Sequence, residues 1–355
     1  MSKLSALLTS WYVDNDISMP WRMHSDPYKI WISEIMLQQT QVLTVIPYYN
    51  RWINKYSSIE DLIKADLDDL LKLWEGLGYY SRVKNIYKAT QVIHTQYNNL
   101  LPESYNDLLK LPGIGDYTAS AILSIAFNKP FPSIDGNLKR VLTRIYAINQ
   151  KDQKNLTLYK KYVKKFYKNH KPEIINQALM DLGREVCTFK SPKCNMCPAQ
   201  NHCIAFTGNT INLYSVIKKK KTIPSYHVVV GIIFKDNKFL ISQRKSTGLL
   251  ANLWELPGGK KLKNETVINC LKREIREETN ISVKKPVYIG NVKHAYSHLK
   301  VNIDFYSCYY NKGEAKALDS QQIKWIYKKD INKFTFPTAT HKLFQLLNNK
   351  NEHFI

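Results

Sequence analysis

The 355-residue sequence lacks the features that mark secreted and membrane proteins. It has only six cysteines, and the short apolar run at its N-terminus is broken by Asp14 and Asp16, unlike a signal peptide. No apolar run approaches the ~18 residues that a membrane span requires. We therefore expect a protein without a membrane segment in a reducing, cytoplasmic compartment, where disulfides are disfavoured.

Acidic residues are also scarce. The chain has 29 Asp and Glu against 52 Lys and Arg, which gives a net charge of +23. This excess favours a partner with a phosphate backbone through counterion release, although a lysine-rich proteome would produce the same composition. Hydrophobic residues make up 44% of the chain, which at this length is enough for two folded domains.

The hydrophobic periodicity changes once along the chain. Residues 1–207 are mainly helical in pattern, with N-caps predicted at Asp26, Ser58 and Asp66. Residues 208–225 contain turn formers, four lysines and a proline, and they are predicted to form a basic linker. Residues 226–355 contain alternating runs and an Asp-Asn turn, typical of strands. The sequence thus predicts an all-α domain followed by a smaller α+β domain.

Four of the six cysteines lie between residues 187 and 203, with the spacing C-x6-C-x2-C-x5-C. A zinc ribbon usually has two separated C-x2-C pairs, whereas this loop has one such pair and prolines that force turns. The chemistry favours an iron–sulfur cluster, and zinc and chance stay open at this point. The candidate ligands are Cys187, Cys194, Cys197 and Cys203.

A second local motif covers about residues 104–126 and contains Leu-Pro-Gly-Ile-Gly. Gly113 and Gly115 allow a tight hairpin between two predicted helices, the second of which begins near Asp116. The N–H groups at the start of that helix are suited to grip a DNA phosphate without reading the sequence. A simple corner between two helices is the alternative.

Together these motifs resemble the endonuclease III superfamily of base-excision DNA glycosylases. The hairpin motif, the segment 132–140 and the cysteine loop occur in that family's order. Residues 20–22, 31–42 and 74–82 are similar to its MutY-type adenine glycosylase branch. The resemblance implies a helix–hairpin–helix glycosylase domain, a 4Fe–4S cluster on the four cysteines, and a Nudix-like domain over 226–355 that recognises 8-oxoguanine.

The implied function is base-excision repair. Acting as a monomer on double-stranded DNA, the protein would remove adenine mispaired with 8-oxoguanine or guanine. The adenine would be flipped out of the duplex and its N-glycosidic bond hydrolysed with acid assistance. A nucleotide-pyrophosphate hydrolase with a DNA-binding N-terminal domain is the alternative.

Two carboxylates suit this chemistry. Glu34 lies on an apolar predicted helix, where desolvation favours the protonated acid, whereas Asp135 at a helix start should be held ionised by N–H donors. A surface glutamate and a plain N-cap are the alternatives. The resemblance implies that Glu34 is the acid and base and that Asp135, supported by Asn137, stabilises the cation. Tyr117 occupies the position of a lysine in bifunctional relatives, so no Schiff base is expected.

The resemblance also assigns side chains that contact the DNA. The predicted adenine pocket consists of Trp21, Arg22 and Gln177. The residues predicted to fill or flank the gap in the base stack are Gln39, Thr40, Leu77 and Tyr79. Core packing is the alternative for Tyr79. The predicted 8-oxoguanine readers are Tyr296, Ser297 and His298, although Ser297 alone would suit a β-turn equally well.

The predicted second domain has a motif of its own. Residues 259–281 fit the Nudix box of pyrophosphohydrolases except for Asn280, which replaces the last glycine. Glu274, Glu277 and Glu278 share one predicted helix face, and they would be able to gather around a divalent cation. An inherited fold with a solvated acidic helix face is the preferred interpretation.

Overall fold

The computed structural model describes residues 2–15, 18–149, 151–214 and 222–349. These residues form two compact units, one made of 2–65 and 81–214 and the other of 66–80 and 222–349. The second unit therefore includes a segment from within the helical part of the sequence. The predicted linker lies partly outside the described residues.

The helices, in chain order, are α1 (Ser2–Asp14), α2 (Pro27–Leu37), α3 (Val42–Lys55), α4 (Ile59–Leu62), α5 (Leu67–Trp74), α6 (Ser81–Tyr97), α7 (Tyr105–Lys110), α8 (Asp116–Ile125), α9 (Gly136–Ile145), α10 (Leu156–Phe166), α11 (Pro172–Asp181), α12 (Ile204–Thr207), α13 (Val267–Thr279) and α14 (Thr338–Asn349). The strands are β1 (Ser225–Lys235), β2 (Lys238–Gln243), β3 (Trp254–Glu255), β4 (Gly258–Lys260), β5 (Ser282–Ala295), β6 (Lys300–Lys312) and β7 (Gln322–Tyr327).

The first unit is helical, as predicted. Asp26 caps α2 by accepting hydrogen bonds from the backbone N–H groups of Tyr28 and Lys29, and a proline occupies the first helical position. Ser58 caps α4 in the same way through the N–H of Asp61. Asp66 occupies the predicted N-cap position of α5, but its side chain accepts no capping hydrogen bond. One core of this unit packs α1, α9, α10 and α11 together through buried aliphatic and aromatic side chains, among them Leu8, Leu142, Val163, Phe166 and Leu179.

The helix–hairpin–helix is confirmed as a local structure by α7, a five-residue turn and α8. Gly113 has a φ of +81°, and a Cβ there would lie 2.7 Å from Cβ of Asn85, so the turn needs glycine for both reasons. Gly115 is the N-cap of α8 and offers no capping side chain. The first N–H groups of α8 are consequently left for an external acceptor.

The second unit contains a seven-stranded mixed sheet with α13 and α14 packed against it. Its central strand β1 pairs in parallel with β6 and antiparallel with β2 and β4. Asp236 and Asn237, both with positive φ, form the predicted turn between β1 and β2. Asn280 ends α13 in the left-handed conformation with a φ of 59°, which explains why asparagine can replace the glycine of the Nudix box.

No helix in the described part of the chain is both long enough and apolar enough to cross a membrane.

Candidate active site

A cavity of about 160 Å³ lies in the helical unit. It is bordered by residues from α2, α8, α9 and α11 and by the short helical turn Pro20–Arg22. The structure brings together in its wall eight of the predicted site residues: Trp21, Arg22, Glu34, Thr40, Tyr117, Asp135, Asn137 and Gln177.

Glu34 projects from α2 into this cavity and is only 6% exposed. Its Oε2 is buried and has no hydrogen-bond partner. Burial raises the pKa of Glu34 to about 7, Asp135 adds to the rise, and Tyr117 and Arg22 oppose it. A carboxyl of this kind holds a proton near neutral pH and aims an unsatisfied oxygen at a ligand.

Asp135 caps α9 and accepts a hydrogen bond from the N–H of Leu138 at 2.6 Å. Burial raises the pKa of Asp135 above its ordinary value, and the N–H groups of Leu138 and Asn137 lower it by less. The expectation that helix-start donors dominate at Asp135 is therefore corrected, because the desolvation of this cavity outweighs them. The cap nevertheless fixes the carboxylate in place.

Asn137 is held from behind by Arg140. Nη2 of Arg140 donates to Oδ1 of Asn137 at 2.9 Å and to the carbonyl of Gly183 at 2.5 Å. Gly183 has no room for a side chain, since a Cβ there would lie 2.7 Å from Cβ of Asn137. Close backbone packing therefore supports the residue that stands beside Asp135.

Tyr117 occupies the first turn of α8. Its hydroxyl donates to Sδ of Met180 at 3.8 Å, and Tyr117 lines the same cavity as Glu34. Burial and the carboxylates of Glu34 and Asp135 raise the pKa of Tyr117 well above its ordinary value, so the phenol stays neutral. It presents a hydroxyl and an aromatic ring to the cavity.

The opposite wall contains a buried ion pair that sequence reasoning missed. Asp181 accepts two hydrogen bonds from Arg22, at 2.6 and 3.0 Å, and lies 3.0 Å from Nη2 of Arg184. Its side chain is 2% exposed, so the fork-to-fork pairing orients Arg22 rigidly. A signal was present in the sequence, because Asp181 follows Gln177 by one helical turn and shares its face.

Gln39 follows the end of α2 and is exposed with a φ of 57°. The preceding residues are fixed by Arg82, whose Nη1 donates to the carbonyls of Met36 and Gln38, both at 2.6 Å. Backbone held in the left-handed region by its surroundings is typical of functional positions.

Tyr79, like Gln39, has a backbone in the left-handed region, with a φ of 49°, and its side chain is 40% exposed. It belongs to the second unit together with Leu77. Leu77 is only 5% exposed, so most of its side chain packs inside the protein, and its place beside the gap in the base stack stays a prediction.

The four cysteines of the predicted cluster loop line a single cavity of the helical unit. Arg144, which is almost fully buried, donates from Nη1 to Sγ of Cys187 at 3.2 Å and to the carbonyl of Thr188 at 2.8 Å. Burial raises the pKa of Cys197 to about 12, so its thiolate requires a cationic partner. Across the described residues, no group of three or more His, Cys, Asp or Glu side chains lies in an arrangement able to hold a metal ion. Four thiols that line one cavity beside a buried guanidinium nevertheless have the donor chemistry that fits an anionic iron–sulfur cluster.

The predicted reader residues lie in the turn between β5 and β6. The N–H of Tyr296 donates to the carbonyl of Leu299 at 2.8 Å, which closes the turn. Ser297 and His298 are exposed at its tip, and Oγ of Ser297 lies 3.3 Å from Nδ1 of His298. Tyr296 instead packs toward a cavity of about 400 Å³ beside the sheet.

The three Nudix glutamates do not share one role. Arg273 binds Glu274 at 2.8 Å and Glu277 at 2.9 Å. Glu278 accepts a hydrogen bond from the N–H of Gly258 at 3.0 Å, and burial raises its pKa to about 8. Among the described residues these carboxylates do not form a metal-binding group.

Two family models match the chain. The HhH-GPD superfamily base excision DNA repair protein model matches residues 32–166, and a NUDIX domain model matches residues 228–346. Adenine DNA glycosylase of Buchnera aphidicola subsp. Baizongia pistaciae is 34% identical over 95% of this chain and 94% of its own length. Adenine DNA glycosylase of Homo sapiens is 28% identical over 96% of this chain and 73% of its own length.

A solved structure of a thermostable thymine-DNA glycosylase has a TM-score of 0.53 and 26% identity, and it covers 57% of this chain and 95% of its own. The full-length match to adenine glycosylases covers both units of the chain. A pyrophosphohydrolase with an accessory DNA-binding domain is therefore not favoured.

Proposed function

The chain belongs to the adenine DNA glycosylase family, and on that premise we propose which of its residues carry out each part of the reaction. It is a base-excision repair enzyme that acts on DNA and hydrolyses an N-glycosyl bond. The proposed substrate is adenine opposite 8-oxoguanine or guanine in double-stranded DNA. The enzyme is proposed to act as a monomer, DNA-associated in the cytoplasm.

The first step is proton donation by Glu34. Its neutral carboxylic acid, kept protonated by burial, gives a proton to N7 of the adenine. The C1′–N9 bond then breaks and its electron pair leaves with the base. The unpartnered Oε2 of Glu34 is the oxygen available for this contact.

The sugar left behind carries positive charge at C1′ and O4′. Asp135, fixed by its cap on α9, supplies the opposing negative charge, with Asn137 beside it. Glu34, now a carboxylate, takes a proton from the water that attacks C1′, and the acid is restored. The neutral phenol of Tyr117 forms no imine, so the enzyme leaves an abasic site and does not break the strand.

The flipped adenine would lie between Trp21, Arg22 and Gln177, where the Arg22–Asp181 pair keeps the guanidinium in place. The N-terminus of α8, reached through Gly113 and Gly115, would hold a DNA phosphate. Gln39 and Tyr79 would occupy the gap in the stack, since both are exposed and held in fixed left-handed backbone.

Ser297 and His298, exposed on the β5–β6 turn, would read 8-oxoguanine. That base differs from guanine by an N7–H donor and the O8 oxygen, and a hydroxyl can both donate and accept. Cys187, Cys194, Cys197 and Cys203 would hold a 4Fe–4S cluster, which would fix the fold of this loop. Anaerobically purified protein should then contain about four irons per chain, and stoichiometric zinc would contradict the assignment.

The observation that carries the proposal is that the buried carboxyl of Glu34 faces the same cavity as the carboxyl of Asp135. The test is single-turnover cleavage of duplexes that carry adenine opposite 8-oxoguanine, adenine opposite guanine, or an oxidised pyrimidine. We expect release of adenine from the first two and strand breaks only after alkali. Release of the oxidised pyrimidine in place of adenine would overturn the proposal.

A further inference from the structure

The turn that carries Tyr79 is rigid for reasons of its own. Nε1 of Trp74 donates to the carbonyl of Gly78 at 3.0 Å, and the N–H of Gly76 donates to the hydroxyl of Tyr80 at 3.1 Å. Gly76 and Gly78 have φ values of 94° and 77°, which other residues would adopt only with strain. Tyr79 therefore projects from a rigid turn.

Glu75, at the start of this turn, is bound by residues more than 260 positions away in the sequence. Its Oε1 accepts a hydrogen bond from the N–H of Phe336 at 2.7 Å and another from Nε2 of His341 at 2.7 Å. Its Oε2 accepts one from Lys72 at 2.6 Å, and Lys72 also donates to the carbonyl of Phe334 at 2.9 Å. The carboxyl is 13% exposed, so these contacts are poorly screened by water.

This network explains why residues 66–80 belong to the second unit rather than to the helices that flank them in sequence. Burial alone would raise the pKa of Glu75, yet His341, Lys72 and the N–H of Phe336 reverse that effect and lower it. The carboxylate is therefore charged, and a charge placed there without its donors would be costly.

We propose that Glu75 and His341 are positioning residues that fasten the Tyr79 turn to residues 334–341 of the second unit. The unit that is proposed to read the opposite base would then also position Tyr79 in the gap of the base stack. This inference rests on the proposed role of Tyr79 in DNA. His341 does not touch the substrate in this scheme and acts only through the turn.

The test is a double-mutant cycle measured as equilibrium binding to an uncleaved duplex with a non-hydrolysable adenine analogue opposite 8-oxoguanine. The variants are Tyr79→Ala, His341→Ala and the double substitution. His341→Gln restores a donor, and Glu314→Ala is the matched control because it removes a carboxylate from an exposed ion pair of the same unit. Saturated single-turnover cleavage of the normal substrate is measured in parallel.

We expect His341→Ala to raise the dissociation constant about tenfold, the scale of one lost charge-assisted hydrogen bond, with the saturated rate constant changed less than about threefold. His341→Gln should recover most of the affinity, and Glu314→Ala should bind as the unmodified enzyme does. In the Tyr79→Ala background, His341→Ala should have almost no further effect, because a positioning residue acts only through its target.

The inference would be overturned if the losses of binding free energy from the two substitutions were additive. It would also be overturned if either His341→Ala or Tyr79→Ala bound the duplex as the unmodified enzyme does. Failure of the proposed function has a different signature, since it would appear as an unmodified enzyme that releases no adenine. The binding cycle is interpretable in either case, because it uses a duplex that is not cleaved.

Discussion

Nε of Arg140 donates a hydrogen bond to the carbonyl oxygen of Cys187 at 2.7 Å. Since the same guanidinium also holds Oδ1 of Asn137, one side chain joins the cysteine loop to the N-terminus of α9, where Asp135 is the cap. The carboxylate that is proposed to stabilise the cation is therefore linked through Arg140 and Asn137 to the cysteine loop.

Arg140→Ala is expected to lower the single-turnover rate of adenine release about tenfold, because Asn137 loses its support and two backbone carbonyls lose their donor. Arg140→Lys keeps the charge but not the planar fork, so it should recover only a small part of the rate. The iron content of both variants, measured beside the rate, shows whether the loop itself is loosened. Full activity of Arg140→Ala would show that the link between Arg140 and the cysteine loop does not affect catalysis.

Glu34→Gln should slow adenine release by at least about 10²-fold while duplex affinity stays close to that of the unmodified enzyme, because the amide keeps the shape but cannot donate the proton. Glu60→Gln serves as the control, since Glu60 is exposed in the first turn of α4. Burst amplitude and rate are measured under single-turnover conditions. An active Glu34→Gln enzyme would remove Glu34 from the mechanism.

The rate should depend on pH through the same residue. Burial raises the pKa of Glu34 to about 7 in the folded protein, and the acid is active only when protonated. The saturated single-turnover rate should therefore fall about tenfold per pH unit well above 7. On the acid side, Asp135 must be ionised for the rate to be full. Because burial also raises the pKa of Asp135, the rate should begin to fall with decreasing pH at a higher pH than the pKa of an ordinary aspartate would give. A rate that stays flat from pH 7 to 9 would contradict this assignment.

Tyr117→Lys is expected to convert the enzyme toward the bifunctional type. An amine at this position would face C1′ beside Glu34 and Asp135, where it can attack the sugar and form an imine. Borohydride should then trap a covalent protein–DNA complex that the unmodified enzyme does not give. Efficient trapping by the unmodified enzyme would show that another amine performs the lyase step.

Local features of this fold were predictable from the sequence because their causes are local. Asp26 followed by Pro27, and glycines on either side of Ile114, define helix ends through contacts a few residues apart. The position of Glu34 on an apolar helix was enough to predict the direction of its pKa shift, since burial of that helix dominates.

Other features depend on distant contacts and could not be predicted. The assignment of residues 66–80 to the second unit follows from Glu75 meeting His341, 266 positions away. The sign of the shift at Asp135 depends on how deeply the cavity is closed, which a capping motif does not encode. The buried Arg22–Asp181 pair joins residues 159 positions apart.

The last prediction concerns how the enzyme spares normal adenine, which is chemically identical to its target, so that discrimination must come from the opposite base. Ser297 and His298 are exposed at the tip of the β5–β6 turn, and their side chains lie 3.3 Å apart. Replacing both with alanine should reduce the preference for adenine opposite 8-oxoguanine over adenine opposite guanine by at least ~1 kcal/mol, the scale of one or two neutral hydrogen bonds.

The double substitution should weaken recognition more than chemistry. At saturation, the cleavage rate of the duplex with adenine opposite 8-oxoguanine should therefore change less than the ratio of the rates for the two duplexes. The backbone bond from Tyr296 to Leu299 closes the turn without either side chain, and the double variant is therefore expected to keep the turn's shape. Competition between the two duplexes in one reaction measures the ratio directly. If the variant retains the full preference, the hydroxyl and imidazole of this turn do not read the lesion. Thr40, in the cavity wall of the helical unit, and Leu77 then become the next residues to replace.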